Sequence, residues 1–481
     1  MNKKLAFVFL FTFIFIFVVS PLSAFGLVRS GEGEAVLLQE GEYDIERASS
    51  KAYAGNNSSA LTAEEYIHSA LLSCTEEINV AAYRIPTADF SAYYSDVIND
   101  NPDLFFVSSS FEYNYYPSMG TVANIYPAYS MSNSEVESAL EIFNNGADKA
   151  LSEIDSSMTD LQKAVILHDY VCENAHYPQV DLNTNDKNIY HTAYGLFYDG
   201  EVVCAGYTLA YSYLMNKAGV PCEYVSSDAM SHAWNKVKIG NNWYNVDCTW
   251  DDFDYNTSIS VKGSVGHFHF LKSDSVFATQ VCSFHYNGVT YNSCAANDTS
   301  YDTAFWDDVT SRIYAVDGDF YYLKPDFSTS NASLIRRTVG GVETEVKKIF
   351  VGVNLGIQSY CYDENGTEYI NNRADLLARI TLLDNRFYIT AGRNIISVNT
   401  SGKTYSIGNA SYYPIGLGVN GNKNLVYQNY GSAETIQELD KLEYFNAHFE
   451  AEKGTNYNNY PDINYDGVIN AKDYAMIIKK A

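Results

Sequence analysis

The stretch Ser231-His232-Ala233-Trp234-Asn235-Lys236-Val237-Lys238-Ile239-Gly240-Asn241-Asn242-Trp243-Tyr244-Asn245-Val246-Asp247-Cys248-Thr249-Trp250 decides the reading of this chain. Two strand-like runs, His232–Ile239 and Trp243–Thr249, flank Gly240-Asn241, a pair suited to a tight two-residue turn. With that turn, directly opposed residues have numbers summing to 481. His232 then faces Thr249, with Asp247 two positions along on the same face. That diagonal is about 7–8 Å between Cα atoms, which two side chains can bridge. A one-residue slip would send them to opposite faces.

Upstream lies Glu201-Val202-Val203-Cys204-Ala205-Gly206-Tyr207, opening a helix that carries Leu209, Tyr213 and Leu214 to a stop at Gly219. A thiol at a helix N-terminus meets unsatisfied N–H groups and the positive end of the dipole, which favours the thiolate. A histidine can hold that thiolate as an ion pair and later protonate a leaving group. An aspartate can fix the imidazole tautomer and stabilise its charged form. The candidate catalytic residues are therefore Cys204, His232 and Asp247. His191 and Tyr194 are weaker candidates for a second oxyanion donor.

Together these segments resemble the transglutaminase-like cysteine enzyme superfamily, of papain-like fold, in its bacterial secreted branch. The carriers are Val-Cys204-Ala-Gly-Tyr, His232-Ala-Trp and Trp243-Tyr-Asn-Val-Asp247-Cys-Thr-Trp, within about 155–275. The resemblance implies Cys204 as nucleophile, His232 as general base and acid, and Asp247 as orienter, with the Cys204 N–H in the oxyanion hole. It leaves open whether water or an amine takes the acyl group.

The surroundings bound this function. The 481 residues carry a net charge of −27 with 46% hydrophobic content, which argues against disorder and against nucleic acid or anionic membrane as partner. Aromatic content is 15%, with 42 Tyr, which suits sheets and wet surfaces alike. Lys3-Lys4, an apolar run from Leu5 to Val19 and small residues up to Gly26 predict a secretory signal; the run is shorter than the ~20 residues that span a bilayer. A secreted, extracellular protein, with cell-surface or scaffold association, is expected. The eight cysteines, Cys74, Cys172, Cys204, Cys222, Cys248, Cys282, Cys294 and Cys361, allow disulfides in that compartment. No Cys-x-x-Cys or histidine-rich spacing points to zinc.

The expected architecture is α+β and multidomain: signal 1–26, a mixed N-terminal region 27–154, the catalytic domain 155–300, an all-β propeller- or sandwich-like domain 301–435 and a tail 436–481. Within it, 27–60 reads as flexible. Thr62 with Glu65, and Ser134 with Glu137, predict helix starts, and a helix is also predicted from Thr159. Hairpins are expected at Asp317-Gly318, Asp384-Asn385 and Asn420-Gly421. Glu438–Phe449 reads as a helix.

The tail holds a second motif. Asp462, Asn464, Asp466, Asn470 and Asp473 stand at positions 1, 3, 5, 9 and 12 of a twelve-residue loop, with Gly467 at position 6 and the Val468 carbonyl at position 7. That pattern is a calcium site. Asp at position 12 makes it resemble one dockerin repeat, where the family has two. The resemblance implies structural calcium, a cohesin-type scaffold domain as partner, and Ala471 and Lys472 as partner contacts. The combined expectation is a cysteine acyl-transfer enzyme acting on protein or peptide amides, hydrolysing more than cross-linking, with no catalytic cofactor. The alternative is a non-catalytic binding or scaffold component of a polysaccharide-degrading assembly.

Overall fold

The computed structural model describes residues 32–37, 61–178, 188–252, 261–278, 294–326, 329–351, 358–362, 368–372, 378–410, 413–429, 432–439, 444, 458, 460–463 and 468–480. The signal segment 1–26, and Asn464, Asp466 and Gly467 of the tail loop, lie outside them.

The N-terminal region is a four-stranded sheet with helices. Strands β1 (Glu32–Leu37), β2 (Ile78–Asn79), β3 (Val107–Tyr116) and β4 (Thr121–Tyr129) order as β1-β3-β4-β2, β1 running parallel to β3. Residues 32–37 thus pair in a sheet, although their polar composition suggested flexibility. The helix Ala63–Leu72 opens on the Thr62/Glu65 capping box. After the helix Phe90–Asp100, the helix Asn133–Leu151 uses Ser132 and Glu135 rather than the later Ser134/Glu137 pair. Both pairs satisfy the same motif, and the earlier one wins because it lets the helix bury Val136, Ala139, Phe143 and Ala147.

The central region begins with Thr159, whose capping box with Gln162 starts the helix Asp160–Asn174. The helix Cys204–Lys217 follows, ending before Gly219 at φ +81°. It packs on an antiparallel sheet β5-β6-β7, formed by β5 (Cys222–Ser227), β6 (His232–Ile239) and β7 (Asn242–Val246). Ile239 pairs with Asn242 and Asn235 with Val246, so Gly240-Asn241 is the expected two-residue turn. The second strand ends sooner than its sequence suggested. Asp247 leaves the ladder and caps a short helical turn, Cys248–Asp251, by accepting the Trp250 N–H.

Among the described residues, 314–439 form only strands. They comprise β8 (Tyr314–Val316) to β11 (Glu343–Phe350), a pair β12–β13 (Gln358–Tyr362, Glu368–Asn372), β14 (Ile380–Leu383) to β17 (Thr404–Asn409), and β18 (Pro414–Val419) to β20 (Ser432–Leu439). Each sheet runs antiparallel in chain order. Asp317-Gly318 and Asp384-Asn385 turn with positive φ at both residues, as such tight hairpins require. Asn420 instead opens a five-residue loop. Its side chain accepts the N–H groups of Asn422 and Asn424, and Lys423 takes the left-handed conformation. Glu438 and Leu439, expected to begin a helix, pair with Val426 and Leu425 in the last sheet. Cross-strand pairing takes these two residues, whereas Tyr444 is helical and the rest of the predicted segment lies outside the described residues.

One hydrophobic core runs from Ile67 through Leu214 and Val246 to Trp306, Phe320 and Ile335. Polar ties cross the same span. Arg312 pairs with Glu153 and with Glu173 (3.1 Å), and Gln162 donates to the Gly318 carbonyl at 2.9 Å. The central region is thereby held against sheets on both sides.

Candidate active site

Cys204 is the first residue of its helix, after Val203 in extended conformation. The turn is seated on the preceding segment: Val203 N–H donates to the Tyr190 carbonyl at 2.9 Å. Gly206 permits the approach, because a Cβ there would stand 2.7 Å from the Tyr190 oxygen and 2.7 Å from the Val202 side chain. The first N–H groups of a helix have no intrahelical acceptor, so the thiol sits at a donor-rich end.

His232 opens β6, and Asp247 lies just past β7 across the hairpin. Nε2 of His232 is 2.7 Å from Oδ2 of Asp247, and Cys204 hydrogen-bonds the same imidazole. Cys204 is 5% exposed, His232 8% and Asp247 0%. The three sequence-predicted residues are thus brought into one line, all of them buried. Burial alone would push His232 down. The Asp247 charge and the hydrogen bonds to Asp247 and Cys204 override it, raising His232 from 6.5 to about 10. The second Asp247 oxygen accepts the Trp250 N–H at 3.2 Å, and the Asp247 N–H donates to the His269 carbonyl. A buried carboxylate gripped in this way cannot turn from the imidazole.

The remaining motif residues brace these three. Trp234 stacks near His232 (centroids 6.1 Å apart) and donates Nε1–H to Asn245 at 3.0 Å. Asn235 donates to the Thr208 carbonyl at 3.0 Å, and the Thr208 hydroxyl to the Cys204 carbonyl at 2.7 Å. Tyr207 donates to Asp252 at 2.6 Å. Trp250, 36% exposed, meets His232 edge-on at 5.9 Å and forms part of the rim.

Tyr194 stacks on Phe105 at 4.4 Å and 9°, and is core packing rather than an oxyanion donor. His191 closes the short turn Asn188–His191 ahead of the helix Ala193–Tyr198. Phe105 and Phe106 are buried in the shared core, so the N-terminal region acts as scaffold.

Behind Asp247 lies a buried network that sequence reading missed. His168 Nδ1 is 3.0 Å from Asp169 Oδ1, and Nε2 is 3.2 Å from Asp251 Oδ2. His267 Nε2 meets Asp169 at 2.9 Å, and His269 contacts Asp251 through its backbone N–H (2.9 Å) and Nδ1 (3.1 Å). Burial would raise Asp169, but His267 and His168 hold it down at about 2. The signal was the spaced pair His267-Phe268-His269, whose partners Asp169 and Asp251 lie 98 and 18 residues upstream.

In the tail, Asp462 and Asp473 are fully buried beside Ile463, Ile469 and Ile477. Asp473 accepts the N–H groups of Ile463 and Asn470, each at 2.9 Å. Val468 precedes the helix Ala471–Lys480, on which Ala471 and Lys472 are exposed. The described donors are carboxylate, amide and carbonyl oxygens, a set that suits a hard cation. Cys74, Cys172, Cys204, Cys222 and Cys248 are free thiols.

The family model of the transglutaminase-like superfamily matches residues 148–248. No curated protein matches the chain. Similar solved structures include one described as the crystal structure of a TGase, 11% identical, covering 34% of this chain and 50% of that one, with a TM-score of 0.22. A streptogramin B lyase structure is 15% identical over 26% of this chain and 52% of that one, with a TM-score of 0.14. A catalytically inactive virginiamycin B lyase from Staphylococcus aureus with quinupristin is 14% identical over 27% and 54%, also at 0.14. The chain spans about half the length of these structures. Residues 148–248, which hold Cys204, His232 and Asp247, carry a transglutaminase-like domain, and such a domain points to cysteine acyl-transfer chemistry.

Proposed function

We propose that this protein is a secreted cysteine acyl-transfer enzyme that hydrolyses amide bonds of proteins or peptides. The observation that carries the reading is the buried line from the Cys204 thiol through His232 to Asp247, with 2.7 Å between imidazole and carboxylate. The Cys204 sulfur attacks the amide carbonyl while the Cys204 N–H faces the developing oxyanion. His232, held protonated by Asp247, gives its proton to the leaving amine and leaves a thioester on Cys204. Water then attacks the thioester and His232 takes its proton, releasing the acid and the free thiol. Attack by an amine in place of water would give cross-linking.

The tail is proposed as a dockerin-like module. Asp462, Asn464, Asp466, Asn470, Asp473 and the Val468 carbonyl would hold calcium, which would order the loop; the exposed Ala471 and Lys472 would meet a cohesin-type scaffold domain. The strand region 301–435 is proposed as a propeller- or sandwich-like spacer.

Iodoacetamide should label Cys204 faster than the other thiols, and His232→Ala should abolish that preference. Equal, slow labelling of all cysteines would overturn the assignment. Mass spectrometry of products, with and without an added amine, separates hydrolysis from transfer.

A further inference from the structure

We propose that His168, Cys172, Cys248 and Asp251 form a structural zinc site behind the catalytic triad. Two elements bring these residues together. His168 and Cys172 lie one turn apart on the buried face of the helix Asp160–Asn174, while Cys248 and Asp251 flank the short turn after Asp247.

The separations of His168 from Cys172 and from Asp251 are those of ligands that share one metal ion. With Zn–N of about 2.0–2.1 Å and Zn–S of about 2.3 Å, ligand atoms on one zinc stand roughly 3.3–3.8 Å apart. His168 Nε2 is 3.6 Å from Cys172 Sγ and 3.2 Å from Asp251 Oδ2. Ligand atoms of His168, Cys172 and Cys248 all lie within 4.8 Å of one another. The outer contacts also have the form a zinc histidine needs. Nδ1 of His168 faces Asp169, itself held by His267 Nε2 and the Ile313 N–H, which leaves Nε2 directed at the ligand cluster.

On binding, two Zn–S bonds form as Cys172 and Cys248 release their protons, His168 gives up the Nε2 proton it shares with Asp251 and supplies the lone pair so freed, and Asp251 supplies Oδ2. The Cys172 hydrogen bond to the Cys248 carbonyl gives way to the metal bond. All four ligands are at most 2% exposed, so no open position remains for water or substrate. The ion would be enclosed as the domain folds. Its role is positional: it would clamp Cys248, and therefore Asp247, to the helix Asp160–Asn174.

The test is metal analysis of the full chain, purified under reducing conditions after expression with zinc. About one zinc per chain is expected, retained in Cys204→Ser and lost in Cys172→Ser and Cys248→Ser. Because those variants could unfold, cobalt exchange into the wild-type chain provides a second reading: a thiolate-to-cobalt charge-transfer band should appear. A metal-free folded protein, the absence of that band, or a Cys172–Cys248 disulfide found by non-reducing peptide mapping would each overturn the site. None of these readouts depends on Cys204 chemistry, so their failure is separable from failure of the proposed enzymatic function.

Discussion

The Tyr207 hydroxyl donates to the Asp252 carboxylate at 2.6 Å, both groups being buried, and so joins the turn that starts at Cys204 to the turn that starts at Asp247. The Cys204 and Asp247 segments therefore move together, although no side-chain bond between those two residues is needed.

Tyr207→Phe should lose a charge-assisted bond and leave Asp252 with one donor fewer. Destabilisation of about 1.5–3 kcal/mol is expected, measured by urea unfolding. Amidase kcat should fall together with stability. A variant with unchanged melting and unchanged kcat would remove Tyr207 from this role.

Asp247→Asn keeps the shape but removes the charge that raises His232. A fall in kcat of about 10²–10⁴-fold is expected. His232 sits at about 10 against its ordinary 6.5, so its protonated form contributes stability fully below pH 6.5 and loses it as pH rises through about 10. The wild-type alkaline decline in Tm should be steepest over that window and flatter in Asp247→Asn. NMR titration of His232 gives the direct check, with the variant value expected to move down.

Gly206→Ala should displace the Cys204 turn, because its Cβ would meet the Tyr190 carbonyl and Val202 at 2.7 Å. Overpacking of this kind costs about 1–3 kcal/mol. Iodoacetamide labelling of Cys204 should slow in parallel, while an exposed-face control such as Lys217→Ala leaves both unchanged.

Asp473→Ala removes the acceptor for the Ile463 and Asn470 N–H groups and one proposed calcium ligand. Calorimetric calcium binding should disappear and cohesin capture with it, while amide hydrolysis is retained. Loss of hydrolysis with retained calcium binding would contradict the separation of the two sites.

Sequence alone was enough for the hairpin that carries His232 and Asp247, because its determinants are local. Gly240-Asn241 sets the register, the period of two sets the faces, and His232 and Asp247 follow from both. The capping boxes at Thr62 and Thr159, and the Asp317-Gly318 turn, are local in the same sense. Where neighbouring signals competed, as at Ser132 and Ser134, or where a pattern was weak, as at Glu438, packing and strand pairing made the choice. The network of His168, Asp169, Asp251, His267 and His269 was beyond reach of spacing. Its members are drawn from segments up to 98 residues apart, and only burial of the helix Asp160–Asn174 against the turn after Asp247 brings the polar atoms within bonding distance. A hydrogen-bond pattern within a hairpin is written in consecutive residues, whereas a buried polar cluster exists only once the core has closed around it.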